Sequence, residues 1–256
     1  MTAQIHALTA EADEPDTVAV SAAAERLAGI RERTAGLEGP DLLRAAITRE
    51  FPGRITLVSS FGAEAAVLLH MVAQIDPTVP VLFLNTGKLF GETLRYRDRL
   101  QDMLGLADVR SLHPLVADEK AADPDGGLWS RDPDACCHFR KVLPLRRALK
   151  GFDAEITGRK RFQTRARAAM EAVEWADGRF KINPLANWTL DGLKAYAEAH
   201  RLPPHPLVAD GYLSIGCMPC TERVAEGGDY RSGRWVGRDK EECGIHQSDL
   251  TDGAGI

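Results

Sequence analysis

Ile55-Thr56-Leu57-Val58 running into Ser59-Ser60-Phe61-Gly62-Ala63-Glu64 is the stretch that decides how this chain folds. Its first four residues are apolar or β-branched with no polar alternation, the pattern of a parallel strand covered on both faces. The next six are small or polar and lead into an apolar stretch with helical character, Ala65 to Ile75. A strand, a turn of small residues and a helix in that order place backbone N–H groups and a helix N-terminus where they can hold an anion or a nucleotide. The Gly-Lys-Ser/Thr ending of a Walker loop is absent, and an ordinary strand-to-helix turn would read the same way.

The pattern repeats outward. Val79 to Leu84 is a second buried strand, entering Asn85-Thr86-Gly87-Lys88 and a helix from Gly91 to Leu104. Val109 to Pro114 reads as a third strand. Asp153 to Thr157 is a fourth, entering Gly158-Arg159-Lys160-Arg161, and Phe180 to Leu185 is a fifth. Helices are expected over Val20 to Ala35, Pro40 to Glu50, from Cys136-Cys137 to Lys150, and from Leu190 to His200. Thr189 caps the last of these, and Pro203-Pro204 stops it. Ala117 to Asp134 has no periodicity and is read as a long loop. Strands alternating with helices predict an open, mostly parallel α/β sheet with helices on both faces. Ligands of such sheets bind beyond the carboxyl ends of the strands. Ser59 to Glu64, Asn85 to Lys88, Gly158 to Gln163 and the approach to Cys136 all fall at that edge. Residues 1–18 read as a disordered lead, 19–225 as one nucleotide-binding domain, and 226–256 as a polar, Gly-rich mobile tail.

With 256 residues, 44% of them hydrophobic, the chain is long enough for one sizeable core. A net charge of −5 and a pI near 5.8 give no global attraction to nucleic acid or an anionic membrane. Any anion site must therefore be a local gathering of bases. The N-terminal residues are acidic and lack the apolar run of a signal peptide, and no stretch is long enough to span a membrane. A cytosolic protein, its thiols kept reduced, is expected.

The five cysteines are unevenly placed. Cys136 and Cys137 are adjacent, Cys217 and Cys220 form a Cys-x-x-Cys, and Cys243 stands alone in the tail. Two tight pairs point to a four-thiolate metal site, either zinc or iron–sulfur. Adjacent cysteines diverge, and a multi-iron cluster takes two such neighbours more readily than a single tetrahedral zinc. Cys243 follows Arg231, Arg234, Arg238 and Lys240, and cations lower a thiol pKa and favour the nucleophilic thiolate. The competing reading is a bystander cysteine. His246 is a general-base candidate on the same terms.

Taken together these segments resemble the thioredoxin-dependent sulfonucleotide reductases of assimilatory sulfate reduction, over about Ile55 to His246. The resemblance rests on Ser-Ser-Phe-Gly-Ala-Glu at 59–64, Leu-Asn-Thr-Gly at 84–87 and Cys-Cys-His-Phe-Arg-Lys at 136–141. It continues with Thr-Gly and the arginines at 157–167, Gly-Tyr-Leu-Ser-Ile-Gly-Cys-Met-Pro-Cys-Thr at 211–221, Arg-Ser-Gly-Arg-Trp at 231–235 and Glu-Cys-Gly-Ile-His at 242–246. It implies an adenine-nucleotide α-hydrolase-like fold and a 4Fe–4S cluster on Cys136, Cys137, Cys217 and Cys220. It implies Cys243 as the nucleophile, and substrate contacts at Ser59, Ser60, Phe61, Gly62, Leu84, Thr86, Gly87 and Gly158. Lys141, Arg167, Arg231 and Arg234 match the bases that meet the sulfate and phosphate. The implied reaction is reduction of adenylyl sulfate (APS) to sulfite and AMP through S-sulfocysteine, with thioredoxin or glutaredoxin as donor and a homo-oligomer left open. The 3′-phosphorylated substrate (PAPS), alone or as well, is the alternative, because Arg159, Lys160 and Arg165 are left over as bases. Asn85 replaces a usual Asp and Phe162 a usual acidic residue, so contacts at those two positions are not carried over.

Two rival functions share parts of this pattern. A zinc-containing ATP pyrophosphatase of the same fold would want a Gly-Gly-x-Asp-Ser type loop, and residues 59–64 lack that aspartate. A zinc-stapled nucleic-acid-binding module would use Arg159 to Arg167, but the acidic pI and the absence of interleaved aromatic residues oppose it.

Overall fold

The computed structural model describes residues 17–245. The expected disordered lead lies outside them, apart from Thr17 and Val18, which already belong to the first helix. His246 lies beyond their other end.

α1 (Thr17–Arg33) and α2 (Gly39–Ala45) precede β1 (Ile55–Ser59). α3 (Ala65–Ala73), β2 (Val81–Leu84), α4 (Gly91–Leu104) and β3 (Val109–Leu112) follow. Then come α5 (Val116–Ala122), α6 (Leu128–Arg131), α7 (Pro133–Cys137), α8 (Leu143–Ala148) and β4 (Ala154–Ile156). β5 (Val173–Ala176), β6 (Arg179–Ile182) and α9 (Leu190–Ala199) end the regular elements. The strands form one six-stranded sheet in the order β3-β2-β1-β4-β6-β5. All neighbouring pairs are parallel except β5 with β6.

The side-chain period of two explains the layers. Ile55, Leu57, Val81 and Phe83 face one side and pack with residues of α1, α2, α3, α4 and α9. Val58, Leu82 and Leu84 face the other side and pack with Leu145 and Leu149 around α8. The open, mostly parallel sheet with helices on both faces is as expected. No helix among the described residues is long and apolar enough to cross a membrane.

Two segments depart from the sequence reading. The expected loop from Ala117 to Asp134 contains α5 and α6, each too short to show a helical period. β5 was not anticipated. It leads into Asp177-Gly178, from which β6 returns; both residues have positive φ (56° and 72°), the turn geometry that Asp-Gly favours in a two-residue hairpin.

The topology fixes where a ligand can sit. β1 leads outward to β2 and β3, whereas its other neighbour is β4, so the winding reverses between β1 and β4. The loops after those two strands therefore part and leave a crevice at their carboxyl ends.

Candidate active site

The turn after β1 is held open by its own side chains. Phe61 has φ 50°, uncommon for a bulky residue. Its N–H donates to Ser59 Oγ at 3.1 Å, and its ring is fully buried edge-to-face on Phe83, 5.2 Å between centroids. Phe61 thus anchors the turn from beneath and does not line the crevice, contrary to its expected place among substrate contacts. Ser59, Ser60 and Gly62 do line it.

The crevice is a cavity of about 210 Å³. Leu84 and Thr86 border it after β2, Gly158 after β4, and Lys141, Arg167, Arg231, Arg234 and Cys243 complete the wall. The expected site residues therefore converge from five separate segments. Gly87 is the other exception. Its φ of 73° turns the chain toward Arg140, and Asn85 Oδ1 accepts its N–H at 3.3 Å, so Asn85 closes its own loop.

Several wall residues were placed at this edge by the sequence without a role. Glu64 pairs with Lys160, whose side chain is buried; Gln163 Nε2 donates to the same carboxylate at 3.2 Å. Burial and the Glu64 carboxylate push the Tyr230 phenol above its ordinary pKa. The Phe162 ring stands edge-to-face on Tyr230. Arg159 is also committed, to Glu174 at 2.7 Å and Asn183 at 3.1 Å. The bases left over by motif are thus held by internal partners, except Arg165, which is exposed. Glu242, beside Cys243, accepts from Arg167 Nη2 at 2.5 Å and Thr164 Oγ1 at 3.1 Å. Glu242 stood in the quoted motif at 242–246, whereas adjacency to the tail arginines was the only sequence signal for Tyr230.

The tail expected to be mobile is docked as far as Ile245. Glu222 N–H donates to Gly233 O at 2.7 Å, and Trp235 N–H donates to Cys220 O at 3.2 Å. Trp235 is buried with φ 50°, and the Arg234 guanidinium lies 4.4 Å over its ring. Arg231 Nη2 donates to Glu241 O at 2.9 Å. Burial, and then the neighbouring Arg167, lower the Arg231 pKa from its ordinary value. A Cβ on Gly233 would run into the Glu222 carbonyl oxygen, which is backbone and cannot swing aside. Gly233→Ala is expected to loosen this segment by about 1–3 kcal/mol, the usual cost of overpacking. Trypsin should then cut between Arg231 and Lys240 at least about tenfold faster than in the parent protein; an unchanged rate would contradict the docking.

Cys136, Cys137, Cys217 and Cys220 line a second, much smaller cavity, which shares Cys217 and Lys141 with the first. α7 is capped by Asp132, whose side chain accepts the N–H groups of Asp134 and Ala135. It passes into a π-helical turn, His138–Val142, that carries Arg140 and Lys141; such turns cluster at functional positions. The Cys-x-x-Cys loop is clamped to the loop after β2 by Met218 N–H donating to Lys88 O at 2.8 Å. Thr86 Oγ1 and Cys217 Sγ lie 3.2 Å apart. Arg140 donates to Thr86 O and to Asp123, both at 2.8 Å, and pairs with Glu119.

Burial pushes the Cys136 thiol up to about 11, with Cys137 adding to the shift. Burial also acts on Cys217, but Lys141, the Thr86 hydroxyl and Arg234 outweigh it and lower that pKa. Lys141 is itself buried, yet Cys217, Cys243 and Cys137 raise its pKa above the lysine range. Among the described residues no three His, Cys, Asp or Glu side chains are grouped to hold a metal ion. A multi-iron cluster binds each thiolate on a different iron and so needs its ligands spaced wider. Four thiols around one small pocket, with Lys141, Arg140 and Lys88 also lining it, have the donor chemistry for such a group.

A family model described as the phosphoadenosine phosphosulfate reductase domain matches residues 54–223. Curated proteins named adenosine 5′-phosphosulfate reductase are similar over most of their length. The one from Mesorhizobium japonicum is 49% identical over 227 residues, covering 89% of either chain. The one from Chelativorans is 53% identical over 194 residues, 76% of this chain and 79% of that one. The Streptomyces coelicolor protein is 39% identical over 241 residues, 93% of this chain and 100% of its own. Among solved structures, phosphoadenylyl-sulfate reductase from Candida auris in a phosphate complex aligns with TM-score 0.65 and 27% identity, over 77% of this chain and 97% of that one. An FMN adenylyltransferase from Candida glabrata aligns with TM-score 0.55 at 12% identity, over 80% of this chain and 76% of that one. That second likeness concerns the fold alone, and it agrees with the adenine-nucleotide α-hydrolase-like architecture.

Proposed function

Because the chain belongs to the phosphoadenosine phosphosulfate reductase domain family, we propose that it reduces adenylyl sulfate to sulfite and AMP in sulfate assimilation, with thioredoxin as the electron donor. The observation that carries the reading is the meeting of Cys243 with Lys141, Arg167, Arg231 and Arg234 around one cavity at the β1–β4 reversal. The nucleotide lies along the turns after β1 and β2, contacting Ser59, Ser60, Gly62, Leu84, Thr86 and Gly158, with its phosphate–sulfate end toward the four bases. Those bases neutralise the oxyanions, so that an anionic thiolate can approach sulfur.

The Cys243 thiolate then attacks that sulfur. An S–S bond forms, the S–O bond to the nucleotide breaks, and AMP leaves with the electron pair. A thioredoxin thiolate next attacks Cys243 Sγ and expels sulfite with the S–S electron pair. The second thioredoxin thiol resolves the mixed disulfide and returns Cys243 to the thiol. One dithiol supplies both electrons, so no one-electron carrier is required. A 4Fe–4S cluster on Cys136, Cys137, Cys217 and Cys220 would set the local charge beside Lys141. Anaerobically purified protein is expected to hold about four irons per chain with acid-labile sulfide, and serine at any of the four positions to lose them. Stoichiometric zinc without iron would contradict the assignment.

The internal pairing of Arg159 and Lys160 favours adenylyl sulfate over its 3′-phosphorylated form. A 3′-phosphate without a basic partner loses its hydration uncompensated, at a cost of about 1–3 kcal/mol. The kcat/KM with thioredoxin is expected to favour adenylyl sulfate by at least about tenfold. Equal values, or the reverse preference, would overturn this choice. The thiol chemistry suits a reduced cytoplasm, and neither nucleic acid nor membrane is assigned as a partner.

A further inference from the structure

The arginine face of the cavity already holds an anion, and it comes from the chain itself. Glu242 lines the cavity; its Oε2 accepts from Arg167 Nη2 at 2.5 Å and its Oε1 from Thr164 Oγ1. Both members of the pair are largely buried, 13% exposed for Arg167 and 17% for Glu242. Arg167 also donates to Gln163, another residue of the cavity wall. Arg231 stands within electrostatic reach of Glu242, Arg167 and Cys243. A carboxylate has the charge and bidentate geometry that arginine uses for sulfate and phosphate oxygens. Glu242 is also the residue bonded directly to Cys243, so a displacement of its backbone carries the cysteine with it.

We propose that Glu242 is an exchangeable internal counter-ion: it holds the arginine pocket when no substrate oxyanion is there, and its displacement by that oxyanion frees the Glu242–Cys243 segment to bring the Cys243 thiolate onto the bound sulfur. This rests on the function proposed above, and it adds a positioning residue that the reaction itself does not name. Two physical consequences follow. The pocket's bases stay neutralised and ordered in the free enzyme, so the tail docks without burying uncompensated positive charge. Substrate affinity is reduced by the competing carboxylate, because a site partly held by another occupant binds more weakly in proportion.

The test compares Glu242→Gln, which keeps shape and hydrogen bonding, with Glu242→Asp, which keeps the charge. Glu241→Gln removes one nearby exposed charge and serves as the electrostatic control. Kd for AMP and KM for adenylyl sulfate are expected to fall at least threefold in Glu242→Gln. They should stay near the parent values in Glu241→Gln and move less in Glu242→Asp. Alkylation of Cys243 by iodoacetamide, read on its peptide by mass, should be accelerated severalfold by AMP in the parent and already fast without AMP in Glu242→Gln. Weaker or unchanged anion binding in Glu242→Gln, an equal gain in Glu241→Gln, or alkylation indifferent to both AMP and the substitution would each overturn the proposal. The AMP and alkylation arms need no turnover, so a parent protein that fails to release sulfite would count against the proposed function and leave these outcomes decisive for Glu242.

Discussion

Cys243→Ser abolishes sulfite release from adenylyl sulfate, to below about one part in 10³ of the parent rate, while AMP still binds with a Kd within about threefold. The basis is geometric. Cys243 lines the cavity formed by the strand-end turns and the four bases, whereas the other cavity cysteine, Cys217, is buried and faces Thr86. A serine hydroxyl at that position is a far weaker nucleophile than a thiolate at neutral pH, and it cannot form the S–S bond on which release of AMP depends. The iron content of the variant should equal that of the parent, since Cys243 does not line the cysteine pocket. Sulfite formation at a comparable rate would remove the mechanism.

Lys141→Met lowers kcat/KM by about 10²–10³, the range seen when one preorganised electrostatic partner is removed from an active site. Lys141 borders both cavities, so its ammonium serves the substrate oxyanions on one side and the cysteine pocket on the other. Burial opposes its charge, but Cys217, Cys243 and Cys137 hold its pKa above the lysine range, so the cation persists across the working pH. Methionine keeps the volume and deletes the charge, removing the cation that most favours the Cys217 thiolate in a poorly hydrated site. Most of the loss is expected in kcat rather than in AMP affinity, because Arg167, Arg231 and Arg234 still hold the phosphate end. A loss confined to KM would place Lys141 in ground-state binding alone.

How far the sequence carried these conclusions depended on whether the responsible interaction is local. The strands at Ile55 and Val79 declare themselves, since burial on both faces leaves an uninterrupted apolar run at each. The adjacent and Cys-x-x-Cys pairs were equally legible, because a shared pocket demands short spacing. Glu64 was visible in the turn, yet its partner Lys160 lies 96 residues on, and nothing local signals that the two neutralise each other. The tail misled by composition: its glycines and charges look solvated, but Gly233 is small so that backbone can pack on Glu222, and Trp235 is buried. Phe61 misled in the opposite sense. A motif residue between two cavity residues reads as a contact, but its positive φ turns the ring down onto Phe83. β5 is a missed local signal, since Asp177-Gly178 is a hairpin turn in its own right.

The central claim is that sulfur passes from the nucleotide to Cys243 before any reductant acts. Reduced protein, freed of thioredoxin and other thiols, is mixed with adenylyl sulfate, quenched in acid and digested for mass analysis. The account predicts that the peptide containing Cys243 gains the mass of one sulfonate group, in proportion to the AMP released, and that added thioredoxin converts this adduct to sulfite. AMP release with that peptide unmodified, or the adduct on Cys136, Cys137, Cys217 or Cys220, would contradict it.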